Sequence, residues 1–290
     1  MSGPTVATAQ VVALFEEWLS ERLTGEAWTW LRDRGAAAAQ GDRKSLYLSF
    51  GLVARKTGKA DLHLSAADIV RAERARPGWQ PGGWTVDQIA RLWLVLQYPS
   101  DDVREYVHTL DQLFAAGEVH ELVALYQGLP LLPHQPAFRL RCAEGIRTNM
   151  KAVFCAIAHR NPYPSEQLDD DQWNQLVLKC LFVGVPLDPV VGLDARANSK
   201  LARMLVDFAH ERWAAKRPVS PELWRCVGPF ADETVLDDLH RVLSTGSAVE
   251  RQAAALALRS CPQPRAASLL RAAGAEQVAT TWSEIAAQSG

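Results

Sequence analysis

The chain lacks any apolar run long enough to cross a bilayer. Even its longest apolar runs, such as CLFVGVPL after Lys179, fall far short of the ~20 residues that a spanning helix needs. A charge excess is also missing. The net charge is −2, where a nucleic-acid binder would carry a basic surface. Cysteine is sparse and unpatterned: Cys142, Cys155, Cys180, Cys226 and Cys261 form no CxxC pair, so neither a zinc site nor a thioredoxin-like motif has a basis. Cys155, Cys180 and Cys261 fall in apolar helical runs, as buried thiols do, which fits a reducing compartment. The opening MSGPTVATAQVVALFEEWLSERL has no basic n-region and turns acidic early, unlike a secretory signal. No GxGxxG, P-loop, GxSxG or HExxH is present, and the seven histidines are scattered. These absences lead us to expect a cytoplasmic protein with no transmembrane segment, no nucleic-acid partner, no cofactor and no metal site.

What is present is helical periodicity. Val11, Leu14, Phe15, Trp18 and Leu19 make a first apolar stripe, and the pattern recurs along almost the whole chain. KADLHLS reads as a short strand or an extended lead-in. Ser65-Ala-Ala-Asp68 reads as a helix start, and ARPGWQPGGW (75–84), with two prolines and three glycines, as a break. Thr85-Val-Asp-Gln88 has the form of a capping box. The last segments, VLDDLHRVLSTG and AVERQAAALALRSCPQPRAASLL, read as helical hairpins of HEAT type, each burying its face on the next. The expected fold is all-α, with stacked hairpins towards the C-terminus. We expect a helical domain over 1–230 with hairpins at 231–290 packed on it.

Charges on apolar faces are the anomalies worth pursuing. The spacing of Ala197, Leu201, Leu205, Phe208 and Ala215 predicts an amphipathic helix through GLDARANSKLARMLVDFAHERWAAKR (192–217), yet Arg212 falls in its stripe. Asp194 and Asn198 point the same way near its start. Asp194 precedes Arg212 by eighteen residues, roughly 27 Å along a straight helix, so the two cannot pair. Three readings stand: Arg212 clamps the C-terminal carbonyls of a neighbouring helix or an acidic side chain there, it joins Arg196 and Arg217 in an anion site, or the helix is rotated or broken. Glu211 lies on the flank. Lys179 is the sole charge in LVLKCLFV; it either snorkels outward or acts as a desolvated amine with a lowered pKa. Arg147, Asn149 and Lys151 lead into an apolar helix that Asn161-Pro-Tyr-Pro164 ends. Tyr163 there suits a structural turn, with its hydroxyl free to reach across the stack.

Asp101-Asp102-Val-Arg-Glu105 has the DDxxE form with which class I terpene cyclases hold magnesium. The second magnesium motif of that class is absent, and Ser100-Asp101-Asp102 suits an N-cap with acids in the first turn. Asp169-Asp-Asp171 has the same explanation.

RTNMKAVFCAIAHRNPYP, WNQLVLKCLF, GLDARANSKLARMLVDFAHERWAAKR and PELWRCVGPF together resemble the signature of the EboA family of bacterial proteins. LYLSFGLVARKTGKADLHLS and GGWTVDQIARLWLVL are similar to its N-terminal half, so the resemblance covers roughly residues 45–230. It implies a gene cluster that also encodes prenyltransferase-like, sugar-phosphate-cyclase-like and hydrolase-like products, and a part in metabolite traffic. Residues Arg147, Asn149, Lys179, Asp194, Arg196, Asn198, Glu211, Arg212 and Arg217 match its signature and are the ligand-binding candidates. The leading expectation is a non-catalytic helical binding or scaffold protein for secondary-metabolite synthesis and export. It would hold a small anionic metabolite or a protein partner from the same cluster. The alternative is a magnesium-dependent enzyme acting on a prenyl or sugar phosphate. A third is a purely architectural stack with a partner in its concave face.

Overall fold

The computed structural model describes residues 6–289. The described residues are all-helical, and the sole extended pairing among them is an isolated antiparallel bridge between Asp61 and Thr85. KADLHLS is thus an extended lead-in with one bridge, anchored by its buried Leu62, whose carbonyl accepts from Arg22 at 2.7 Å. The chain divides into two compact units, residues 1–167 and 168–290.

The first unit holds α1 (Val6–Arg22), α2 (Gly25–Ala39), α3 (Arg43–Thr57), α4 (Ala66–Ala75), α5 (Val86–Gln97), α6 (Val103–Ala116), α7 (Val119–Gln127), α8 (Arg139–Arg147), α9 (Lys151–Ala158) and α10 (Tyr163–Gln167). Its axis is α5, which packs against α1, α2, α3 and α7. Apart from Arg91, the sequence IARLWLVL is apolar on all sides, and a helix of that kind belongs in the interior. Ile89, Leu92, Leu94 and Val95 are indeed fully buried. Gly35 of α2 allows Trp93 its place: a Cβ at Gly35 would stand 2.3 Å from the indole.

The helix starts follow local chemistry. Ser65 caps α4 in a capping box with Asp68. The Gln88 side chain accepts from the Thr85 N–H at 2.9 Å to open α5. The break at 75–84 is a break in helix and not in packing. Trp79 is fully buried and meets Phe15, Trp18 and Trp84 at ring-centre distances of 5.8, 6.1 and 5.7 Å. Asn161 and Tyr163 perform the expected structural turn. The Asn161 amide donates to the Tyr126 and Ala156 carbonyls, and the Tyr163 hydroxyl donates to the Gln135 carbonyl at 2.6 Å.

The second unit holds α11 (Asp170–Val183), α12 (Ser199–Ala214), α13 (Leu223–Val227), α14 (Glu233–Thr245), α15 (Ala248–Ser260), α16 (Pro264–Ala272) and α17 (Trp282–Ser289). α11 packs on α12, α12 on α13, and α13 on α15. α14 and α15, separated by Gly246 and Ser247, pack on each other, and α16 and α17 both pack on α15. None of the described helices is long and apolar enough to cross a membrane.

Candidate functional site

The segment that raised the question about Arg212 is not one helix from Gly192. Helix α12 begins at Ser199, because Asn198 has extended backbone (φ −148°, ψ 163°) and caps it, accepting from the Leu201 N–H at 2.9 Å. Ala197 continues the apolar spacing and so extends the periodic pattern past the true start. Before Asn198 the chain runs in turns, with Gly192 at φ 81°.

That connection is held from several sides. The buried Glu222 carboxylate accepts from the Leu187 and Asp188 N–H groups at 3.0 and 2.7 Å. Burial pushes its carboxyl above the ordinary range, against those two donors. The Arg225 fork grips both Asp194 oxygens at 2.7 Å and reaches Asp188 at 2.9 Å. Arg196 donates to the Leu168 carbonyl and to Asp170, with its guanidinium 5.2 Å from the Trp173 ring. Asn198 exchanges amide hydrogen bonds with the fully buried Asn174 of α11, at 2.9 and 3.3 Å. Arg196 and Asn198 therefore fix the start of α12 against α11, while Asp194 ties the connection to α13. Nothing in their spacing reveals Arg225, Glu222 or Asn174, because those partners come from other segments.

Between α11 and α12 lies an open groove of about 660 Å3. Gln175, Leu178, Lys179 and Phe182 face it from α11, and Phe208, Glu211, Arg212 and Ala215 from α12 and its C-cap; Arg217 completes the rim. Both sets have the spacing i, i+3, i+4, i+7, which is one helical stripe. The buried stripes are different ones: Trp173, Leu176, Val177 and Cys180 on α11, and Leu201, Ala202, Leu205 and Ala209 on α12. Arg212 thus sits at the edge of the α12 core stripe, beside Phe208, and not inside it.

The polar groups of the groove are held by short-range geometry. Arg212 Nε donates to the Pro218 carbonyl at 2.9 Å, and its guanidinium lies 5.9 Å from the Phe208 ring centre. It brackets the turn that follows its own helix, rather than a neighbouring helix. That turn is a Schellman motif: the Lys216 N–H reaches the Trp213 carbonyl at 2.9 Å and the Arg217 N–H reaches the Arg212 carbonyl at 2.8 Å. Lys216 takes the left-handed position at φ 54°. The reversal returns Arg217 to the rim. Lys179 is half-buried, and burial lowers its pKa from the usual lysine value. The rim therefore carries three cations, Lys179, Arg212 and Arg217, beside one carboxylate, Glu211. Leu178, Phe208 and the largely exposed Phe182 (76% accessible) supply apolar surface. Such a groove suits an anion bearing an apolar or aromatic body.

Of the sequence candidates, Lys179, Glu211, Arg212 and Arg217 meet in this groove. Asp194, Arg196 and Asn198 do not line it. Arg147 and Asn149 are exposed between α8 and α9 of the first unit. Gln175, Leu178 and Phe182 line the groove and escaped the sequence reading, since LVLKCLFV looks like core throughout.

The aspartates near residue 101 serve a helix end. Asp102 Oδ1 accepts from the Arg104 and Glu105 N–H groups at 2.9 and 3.1 Å, capping α6. Asp169 caps α11 by accepting from the Gln172 N–H at 2.8 Å, while Asp170 and Asp171 pair with Arg196 and Lys200. Among the described residues, no group of three or more His, Cys, Asp or Glu side chains is arranged to hold a metal ion.

The fold and groove define an all-helical protein whose second unit opens a cation-rimmed, partly aromatic cleft between two antiphase stripes. The chain belongs to the EboA family: the family model described as metabolite traffic protein EboA matches residues 11–228. Comparison with curated proteins and with solved structures gave no match. The family's description suggests a role in metabolite traffic.

Proposed function

We propose that the α11–α12 groove holds a small amphipathic anion without transforming it, as a binding step in the movement of a secondary-metabolite precursor. One observation carries the reading. The two facing stripes bring Lys179, Arg212 and Arg217 around an apolar floor of Leu178, Phe182 and Phe208. Its volume lies within the ~300–1,000 Å3 typical of small-molecule sites. Arginine forks give bidentate, charge-assisted hydrogen bonds to a phosphate or carboxylate. Glu211 is placed to accept from a ligand hydroxyl. The lining side chains include no hydroxyl, thiol or imidazole, so any chemistry would have to run through Lys179 and Glu211.

The test is calorimetric titration of the full chain with 1-naphthyl phosphate, inorganic phosphate and 1-naphthalenemethanol. The aryl phosphate should bind most tightly, because it alone uses both the cations and the rings. Arg212→Ala and Lys179→Ala should each weaken it by on the order of tenfold, the worth of a charge-assisted hydrogen bond. Equal binding of all three probes, or wild-type affinity in both variants, would sink the reading. Turnover of the phosphate ester would replace it with an enzymatic one.

A further inference from the structure

The first unit presents a second kind of surface. Residues 30–59 contain seven basic side chains and two acidic ones, in a chain whose net charge is −2. They form the end of α2 and all of α3. On α3, Lys44, Leu48, Leu52 and Arg55 lie along one outer ridge, within roughly 80° of arc at about 100° per residue. Leu48 is 60% and Leu52 39% exposed. Beside them a shallow groove is lined by Trp30, Arg34, Asp42, Lys44, Leu48 and Leu52.

The acids near this face are few, and all but Asp33 are occupied. Asp42 accepts from the Ser45 N–H at 2.9 Å to cap α3. Glu105 holds Arg43 at 3.1 Å, and Glu121, close to Gly51 of the ridge, lies 3.9 Å from Arg91. Asp33 is exposed on α2. Arg34, Lys44 and Arg55 stand exposed around the leucines. Cations alone would suit any polyanion. Exposed leucines one turn apart within that field gain nothing from a nucleic-acid backbone, yet they match a bilayer, whose headgroups attract cations while its acyl boundary takes apolar side chains.

We propose that the α2–α3 edge docks on an anionic bilayer surface, with Leu48 and Leu52 entering the headgroup layer and Arg34, Lys44 and Arg55 meeting lipid phosphates. The surface is independent of the α11–α12 groove, and either proposal can fail alone.

The test is co-sedimentation of the full chain with vesicles of phosphatidylcholine mixed with phosphatidylglycerol, against phosphatidylcholine alone. Binding should require the anionic lipid and weaken as salt is raised. Each basic side chain brought to the surface is worth about fivefold in partitioning. Lys44→Glu combined with Arg55→Glu should therefore lower binding by more than an order of magnitude. Leu48→Ser combined with Leu52→Ser should weaken it several-fold at unchanged charge. Circular dichroism checks that both variants fold. Hydrogen exchange on the wild type, with and without anionic vesicles, should show new protection confined to residues 30–57. No preference for anionic vesicles, or protection elsewhere, overturns the proposal. So does wild-type binding by the leucine variant, because the surface would then be a general polyanion site. An oligonucleotide that displaces the vesicles and binds the leucine variant as tightly as the wild type has the same force.

Discussion

Arg91 in the first unit and Arg212 in the second pose the same problem in sequence: an arginine within the apolar pattern of a helix. Their fates are opposite. Arg91 is 3% exposed, paired with Asp87 one turn earlier, and its Nε donates to the Phe50 carbonyl at 3.2 Å. Thr85 fixes that aspartate by donating to it at 2.6 Å. Arg212 has Phe208 one turn earlier instead, remains part-exposed and faces open space. The residue at i−4 separates the two cases. An acid there lets the charge enter the core, because a buried charge needs its partner. An aromatic ring leaves the charge at the surface, stacked and available. A lone arginine in an apolar stripe is therefore ambiguous until its preceding turn is read.

The sharpest way to break this comparison is to remove the acid. Asp87→Ala removes the closer of the two acids that Arg91 faces, leaving only Glu121 at 3.9 Å, and should cost about 3 kcal/mol of unfolding free energy. Arg212→Ala, which loses one exposed hydrogen bond and a ring contact, should cost about 1 kcal/mol or less. Urea denaturation of the two variants measures both. If Arg212→Ala costs as much as Asp87→Ala, then Arg212 is a structural bracket and the groove loses its central cation.

The second unit depends more on caps and loop clamps than on buried charge. Asn198→Ala removes the cap of α12 and strands the amide of the fully buried Asn174. Together these should cost about 2–3 kcal/mol. Because they also set α12 against α11, the same variant should weaken aryl phosphate binding, although Asn198 does not line the groove. Unchanged affinity would mean that the two stripes hold their places without the amide pair.

Glu222 offers a pH-dependent version of the contrast. Asp188 and Arg225 are the charged groups that act on it, and burial raises its pKa above 4.5. Between 4.5 and the raised value the folded state binds more protons than the unfolded state, so this group's contribution to stability falls as pH rises. Wild type should therefore gain stability relative to Glu222→Gln as pH is lowered through that window. Thermal unfolding of both proteins from neutral to mildly acid pH checks the sign. A difference that is flat with pH would show that the two backbone donors cancel the effect of burial.

The all-helical fold was legible because helix starts are local: Ser65, Thr85 and Asp169 cap where their sequence says. The break at 75–84 was legible as a break, but the return of Trp79 and Trp84 into the core depends on partners such as Phe15 and Trp18, far away in the chain. Half of the site was legible for the same reason. Lys179 and Arg212 stood out as charges in apolar runs, while Phe182 and Leu178 were hidden by them. That α11 lies against α12, turning two matched stripes to one groove, depends on clamps from Asn174, Glu222 and Arg225. No periodicity within either helix encodes that pairing.

The two helices of the groove end alike, and here the comparison predicts a gain. Gly184 closes α11 at φ 67°, and Lys216 closes α12 at φ 54°. Glycine takes the left-handed conformation without strain, whereas a side chain there costs roughly 1–2 kcal/mol. Lys216→Gly keeps both hydrogen bonds of the Schellman turn, since they come from backbone N–H groups. Part of the relief is offset by glycine's greater freedom in the unfolded chain, about 0.4–1 kcal/mol. The net effect should be a stabilisation of about 0.5–1 kcal/mol, read as a higher urea midpoint at constant slope. Lys216 is not among the residues that line the groove, so aryl phosphate affinity should be unchanged. If stability rises and affinity falls, Lys216 itself reaches the ligand, and the left-handed lysine is strain kept for binding.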